Sequence, residues 1–146
     1  YDYKLRWLAA LQAMLREDLR LWPQLALLGD YNIAPEDADV HDPVAWKDQI
    51  LCSEPERAAF RGLLDLGLSD AFRLFEQAPK SYSWWDYRQM GFRLNRGLRI
   101  DHILLSGPLA ATCRACVIDK APRKLERPSD HAPVLATLAT PEPVAP

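Results

Sequence analysis

Leu98–Ser106 reads LRIDHILLS, a strand-length apolar run with a carboxylate set in its middle. Period-two alternation places Asp101 on the face shared by Arg99, Ile103 and Leu105, and His102 on the opposite face as a structural histidine. An unpaired buried carboxylate costs several kcal/mol, so this strand demands a partner from elsewhere in the chain. The candidate partner is in RPSDHAPV (Arg127–Val134), where Asp130 and His131 lie in a loop directly before another apolar run. A histidine held by a neighbouring carboxylate has its tautomer fixed and its proton retained. The two segments are far apart in sequence, so the pairing requires a fold that brings strand ends together.

The rest of the chain supplies alternating helices and strands. Leu5, Leu8, Leu11, Leu15 and Leu19 recur at three- and four-residue steps, predicting an amphipathic helix over 3–20 that Pro23 ends. LALL at 25–28 is a short buried-strand run stopped by Gly29. Residues 31–52 read as a long loop with a short helix near Pro43–Gln49. Ser53 followed by Glu56 forms a capping-box pattern that opens a helix through Leu66, with Gly67 as its stop. Asp70–Phe75 reads as a linking turn or short helix. Tyr82–Tyr87, Leu98–Leu105, Thr112–Ile118 and Pro133–Leu138 are strand candidates. Helices and strands in this order predict an α/β (α+β) domain over 1–140, followed by a frayed, Pro-rich tail over 141–146.

With 49% hydrophobic and 26% charged residues, the 146-residue chain has the composition of a folded domain. No apolar run reaches the length of about 18 residues that a membrane span needs. The opening YDYKLRWLAAL lacks a secretory profile, and three cysteines suit a reducing compartment. A cytoplasmic location is therefore expected. The net charge of −2 excludes nucleic-acid binding by bulk charge, but it conceals a split. Glu36–Glu56 holds seven acids and one base, whereas Lys80–Arg99 holds five bases and one acid. Arg114–Arg127 carries five more bases against two acids. These basic stretches read either as solvated loops or as a phosphate-binding face.

Candidate chemistry gathers at strand ends. In GDYN (Gly29–Asn32), Asp30 follows a strand directly and Asn32 can share its crevice, although the same residues also make good turns. Asp30, Asp101, Asp130 and His131 together suit a hard, oxygen-liking cation and the hydrolysis of a phosphate ester. Ser81–Asp101 interleaves aromatics with arginines, a pattern suited to stacking on nucleotides, or to supplying core area. By alternation, one of Trp84 and Trp85 faces in and the other out. Cys113 and Cys116 form a lone C-x-x-C, read as buried free thiols.

In this order, GDYNIAPEDADVHDP, YSWWDYR…GFRLNRGLRIDHIL and PSDHAPV closely resemble the exodeoxyribonuclease III and abasic-site endonuclease branch of the endonuclease/exonuclease/phosphatase superfamily. GD-x-N and SDH recur across the superfamily, and WWDYR…NRGLRID points to the DNA-repair branch. The resemblance runs from Tyr1 to Leu138. It implies a DNase I-like four-layer α/β sandwich and Mg²⁺- or Mn²⁺-dependent cleavage of double-stranded DNA, at abasic sites or from 3′ ends. By motif, Asp30 would position or deprotonate the attacking water and share the metal site with Asp130. Asn32 would hydrogen-bond the scissile phosphate or that water. Asp101 would orient His131, and His131 would stabilise charge on the phosphoryl oxygens. Trp84 and Leu98 would line the pocket that admits an abasic sugar, and Arg88 and Arg96 would touch the DNA backbone.

The family's amino-terminal half has no counterpart here. With it are missing the Asn of the first strand, the Glu that is the main metal ligand and a Tyr near the phosphate. The resemblance therefore implies a carboxy-terminal half, truncated at its amino-terminal side. Such a half is expected to be weakly active or inactive alone and to self-associate through an exposed sheet face. The alternatives are a non-catalytic DNA- or partner-binding fragment, which has no need of all four site residues, and a phosphatase of small esters, against which the Trp84–Arg99 segment argues.

Overall fold

The computed structural model describes residues 1–140; the tail expected over 141–146 lies outside the described residues. Helix α1 (Asp2–Leu21) buries Leu8, Leu11 and Leu15 along one stripe, as the leucine spacing requires. Helix α2 (Glu54–Leu64) begins with the expected capping box: the Ser53 side chain accepts from the backbone of Glu56, and Glu56 reaches back to the backbone of Ser53. The chain leaves α2 through Gly67, whose φ of +99° places it in the region that glycine favours.

Strand β1 (Ala26–Asp30) and strand β2 (Leu68–Asp70) flank β5 (Asp101–Ser106) in an antiparallel sheet of order β1-β5-β2. The two-residue strands β3 (Trp84–Trp85) and β4 (Gly97–Leu98) pair with each other. A one-turn helix α3 (Gly107–Ala110) precedes β6 (Cys113–Ile118), which pairs with β7 (Val134–Leu138).

Alternation along β5 divides the core. Leu104 faces α1 and α2, joining Leu8, Leu15, Phe60 and Leu63. Ile103 and Leu105 face the other way, against Phe72, Cys113, Cys116 and Val134. The described residues thus stack a helix layer, a three-stranded sheet and a two-stranded sheet. Burying each large apolar side chain contributes about 1.5–3 kcal/mol, so both faces of β5 bear the fold. Outer apolar side chains remain exposed on β1 (Leu28), β6 (Val117) and β7 (Leu135).

Four local expectations need correction. Residues 43–49 form successive turns rather than a helix, because Asp48 (φ 59°) and Leu51 (φ 79°) sit in left-handed conformations that helices exclude. The strand expected over Leu98–Leu105 is two strands broken at Arg99–Ile100. The break carries Arg99 away from the face of Asp101. The expected strand over Tyr82–Tyr87 shrinks to Trp84–Trp85, and β2 occupies a stretch whose three-residue length left no periodic signal. Trp85 is fully buried and Trp84 half-buried, as alternation requires. All three cysteines are buried and free.

Candidate active site

Asp30 ends β1 and Asp101 opens β5, and the sheet register sets them directly opposite each other. The backbone then turns sharply: Asn32 takes a φ of 52°, and its amide donates to Asp30 Oδ1 at 2.8 Å. Tyr31 fastens this turn to the sheet through its amide, which donates to Ile100 O at 3.0 Å, and through its hydroxyl, which donates to Leu27 O. Lys4 of α1 donates to the Asn32 carbonyl and to Glu56 Oε1. Both Asp30 and Asn32 are left exposed.

His131 reaches the same place from the loop before β7. Its Nδ1 lies 2.9 Å and 3.1 Å from the two Asp101 carboxylate oxygens. A carboxylate only accepts, so Nδ1 carries the proton and Nε2 turns outward. That Nε2 is 3.8 Å from Asp30 Oδ2 and 3.9 Å from Asp130 Oδ1. Burial pushes the Asp101 carboxyl above its ordinary range. Hydrogen bonds from His131 and Ser83 oppose that shift, and the nearby Asp30 charge adds to it. Asp30, Asp101 and His131 each offer a ligand atom, all within 4.8 Å of one another. Asp130 stands outside that trio, with Oδ2 accepting from Trp84 Nε1 at 3.0 Å. These groups open onto a groove whose apolar walls include Leu28, Ile103, Pro133 and Val134.

The aromatic segment is stitched to the same loop. Trp84 bridges His131, Trp85 N donates to Asp130 O at 3.1 Å, and Ala132 N donates to Ser83 O at 2.7 Å. Trp84 also lines a second groove with His41, Trp46, Asp86, Arg88 and Arg96. Arg96 is exposed there. Arg88 is exposed too, but its guanidinium is folded onto Asp86, with three contacts of 2.7–3.2 Å. Leu98 does not reach that surface. It is fully buried among Ala34, Val40, Cys52 and Ile100, where it backs Trp84 across the β3–β4 pair.

Arg99 departs furthest from its sequence reading as part of a basic face. It is 1% exposed and ion-paired to Asp39 at 2.7 Å and to Asp70 at 2.8 Å. Burial alone would raise the Asp39 carboxyl; Arg99 and Arg73 outweigh it and hold it below its usual range. His102, structural as expected, is buried beside Arg99. Sequence reasoning missed Ser83 and Lys4. The Ser83 hydroxyl accepts from the amides of Ile100 and Asp101 at 3.0 and 3.1 Å, fixing the break that aims Asp101. No local pattern in the sequence sets either residue apart from the chain's other serines and lysines.

The endonuclease/exonuclease/phosphatase family matches residues 4–131. The chain belongs to that family. It is 41% identical to exodeoxyribonuclease III of Haemophilus influenzae over 143 residues, which cover 93% of this chain and 54% of that protein. Among solved structures, the 3′ phosphatase NExo from Neisseria, bound to a product DNA hairpin, superposes with a TM-score of 0.93 at 47% identity. That match covers 95% of this chain and 54% of the Neisseria chain. An AP endonuclease from Archaeoglobus fulgidus gives a TM-score of 0.89 at 36% identity, covering 96% of this chain and 55% of its own. The fold is therefore that of the DNase I-like nucleases, and the chain spans about half the length of the relatives it matches.

Proposed function

We propose that this chain carries one side of the active site of a metal-dependent DNA-repair phosphodiesterase with 3′→5′ exonuclease and abasic-site endonuclease activity. The observation that carries the reading is the Asp101–His131 pair with its Nε2 aimed at Asp30, at the mouth of a groove. Phosphoryl transfer needs little covalent chemistry from a protein. It needs an oriented water and donors placed where negative charge develops.

Asp30, exposed and free of any ion pair to Lys or Arg among the described residues, holds the attacking water and accepts its proton. The Asn32 side chain, on the same turn, donates to the phosphate. Asp101 keeps His131 in the tautomer with Nδ1 protonated, so a proton taken up at Nε2 is directed at a phosphoryl oxygen. Both Asp101 oxygens are engaged with Nδ1. The carboxylates left for a hard cation are Asp30 and Asp130, a donor set that fits Mg²⁺ or Mn²⁺ but leaves most of its oxygen ligands to other groups. Bound there, the cation would neutralise charge on the phosphate and lower the pKa of water.

Double-stranded DNA is the proposed partner. Trp84 offers a stacking wall and Arg96 a cation with no ion pair among the described residues in the adjoining groove, with Arg88 available if it leaves Asp86. The exposed Leu28 and Leu135 support self-association of the isolated chain. No described helix is long and apolar enough to cross a membrane, and a cytoplasmic location is proposed with the function.

The test is single-turnover incubation of the chain, in excess, with an abasic duplex and Mg²⁺ or Mn²⁺. Slow incision is expected, removed by chelation, by Asp30→Asn and by His131→Ala. Incision that survives both substitutions overturns the reading, as does robust multiple turnover by the chain alone.

A further inference from the structure

The chain buries two arginines, Arg99 and Arg123, under opposite electrostatic rules. Arg99 sits between two carboxylates and is a structural ion pair. Arg123, 7% exposed, makes no ion pair among the described residues, and its Nε has no hydrogen-bond partner. A buried guanidinium without a carboxylate is costly, so something must hold it. The aromatics do. Its charged carbon lies 4.7 Å from the ring centre of Phe92, 5.5 Å from that of Tyr87 and 5.8 Å from that of Trp85. The residue rides on a 3-10 turn (Ala121–Lys124), and its Nη1 donates to the carbonyl of Ser129, one residue before Asp130.

The two sides of this arrangement matter together. On one side is the aromatic segment that presents Trp84; on the other is the loop that presents Asp130 and His131. Tyr87, one wall of the cage, also donates its hydroxyl to Pro128 O at 2.6 Å. We propose that Arg123 is a positioning residue: the guanidinium clamps the aromatic segment onto the Ser129–His131 loop, and so sets where His131 stands relative to Asp101 and Trp84. The planar guanidinium can stack in the cage and donate along its edge in one pose. A lysine, with a compact head and no plane, cannot do both. A residue that merely stabilised the fold would need no donor aimed at the backbone next to Asp130.

The proposal rests on the reading of His131 as the phosphate-facing group, but its test reads geometry rather than turnover, so a failure to cleave DNA leaves it standing. The measurement is ¹H–¹⁵N NMR of two reporters in the whole chain: the His131 Nδ1–H, held by Asp101, and the Trp84 Nε1–H, held by Asp130. In Arg123→Met, solvent exchange of the His131 Nδ1 proton is expected to accelerate at least tenfold, and the Trp84 indole signal to shift. In Arg123→Lys the fold recovers but the two signals do not. Leu11→Ala, in the helix layer, serves as the matched control and lowers Tm without moving either reporter. Wild-type signals in folded Arg123→Met overturn the proposal. If that variant does not fold, wild-type signals in Arg123→Lys overturn it.

Discussion

The Arg99 guanidinium donates to His102 Nδ1 across 3.1 Å, and this contact settles which way the histidine faces the active-site turn. An arginine can only donate, so Nδ1 is an acceptor and the ring proton sits on Nε2. From there it is donated to the carbonyl of Ile33 at 2.7 Å. The turn bearing Asp30 and Asn32 thus rests on a neutral imidazole, which rests on an arginine held by two carboxylates. The imidazole, the arginine and both carboxylates are buried beneath that exposed turn.

Burial, helped by the Arg99 charge, pushes His102 down to about 4. In the unfolded chain its pKa returns to about 6.5, so between those values the unfolded state binds a proton that the folded state refuses. Stability contributed by neutral His102 is therefore full above pH 6.5 and is lost as pH falls toward 4. Asp101, raised by burial, works in the opposite sense over part of this range. Denaturant titrations should show wild type losing about 2 kcal/mol more than His102→Gln between pH 7 and pH 4.5. The glutamine can keep both hydrogen bonds without titrating, and parallel pH profiles of the two proteins would contradict the assignment.

Removing the arginine itself is more damaging. Arg99→Met leaves Asp39 and Asp70 facing each other in the core without their shared cation, although Arg73 still reaches Asp39. A loss of about 3–5 kcal/mol is expected, read from the denaturation midpoint. Arg88→Met, which breaks only an exposed pair with Asp86, should leave the denaturation midpoint nearly unchanged.

Gly97 tests how tightly the Trp84 platform is built. A Cβ there would sit 2.6 Å from the Trp85 indole nitrogen and 2.7 Å from the Trp84 carbonyl. The backbone cannot yield cheaply, so Gly97→Ala should cost about 1–3 kcal/mol and shift tryptophan fluorescence. Gly107, with open space around its Cβ position, gives the comparison: Gly107→Ala should leave both readouts unchanged.

The thiols should be silent in the native state. Burial raises Cys52 and Cys116 to about 11, which leaves roughly one in a thousand ionised at pH 8. Alkylation at that pH is expected to spare both until denaturant is added. Rapid native labelling of Cys116 would mean that the β6–β7 layer opens readily.

How much of this was legible beforehand follows the range of each interaction. The leucine stripe of α1, the Ser53–Glu56 cap and the inward turn of Trp85 are local matters, and spacing alone is enough to read them. The Asp101–His131 pair was legible for a different reason: an acid in an apolar strand must find a partner, and Asp130–His131 was the loop best placed to supply one. Arg99 was misread because its charge looks the same in sequence whether it meets phosphate or two buried carboxylates. Leu98, placed at a pocket wall by the resemblance, lies in the core behind Trp84, and in sequence a pocket wall and a core residue share one hydropathy. Asp130 was placed beside Asp30 by motif; that one of its oxygens is engaged by the Trp84 indole was not legible, because only folding brings that partner near.

Asp30 and Asp101 occupy facing positions at the end of the β1–β5 ladder, and the whole segment from Tyr31 to Ile100 leaves and returns between them. The pair works as a clasp on a loop of chain. Within that loop lie the Trp84 platform and the Arg88–Arg96 bend proposed to meet DNA, together with Asn32, helix α2 and strand β2. Changes confined to its exposed turns leave the clasp untouched, because the register of β1 on β5 is set by Ala26–Gly29 against His102–Leu105. A slip of one residue within β1, by contrast, would set Gly29 or Tyr31 against Asp101 and take the site apart at once. The exposed turns of the loop are free to drift while the paired backbone is pinned, and the boundary between the two is a single pair of opposed carboxylates.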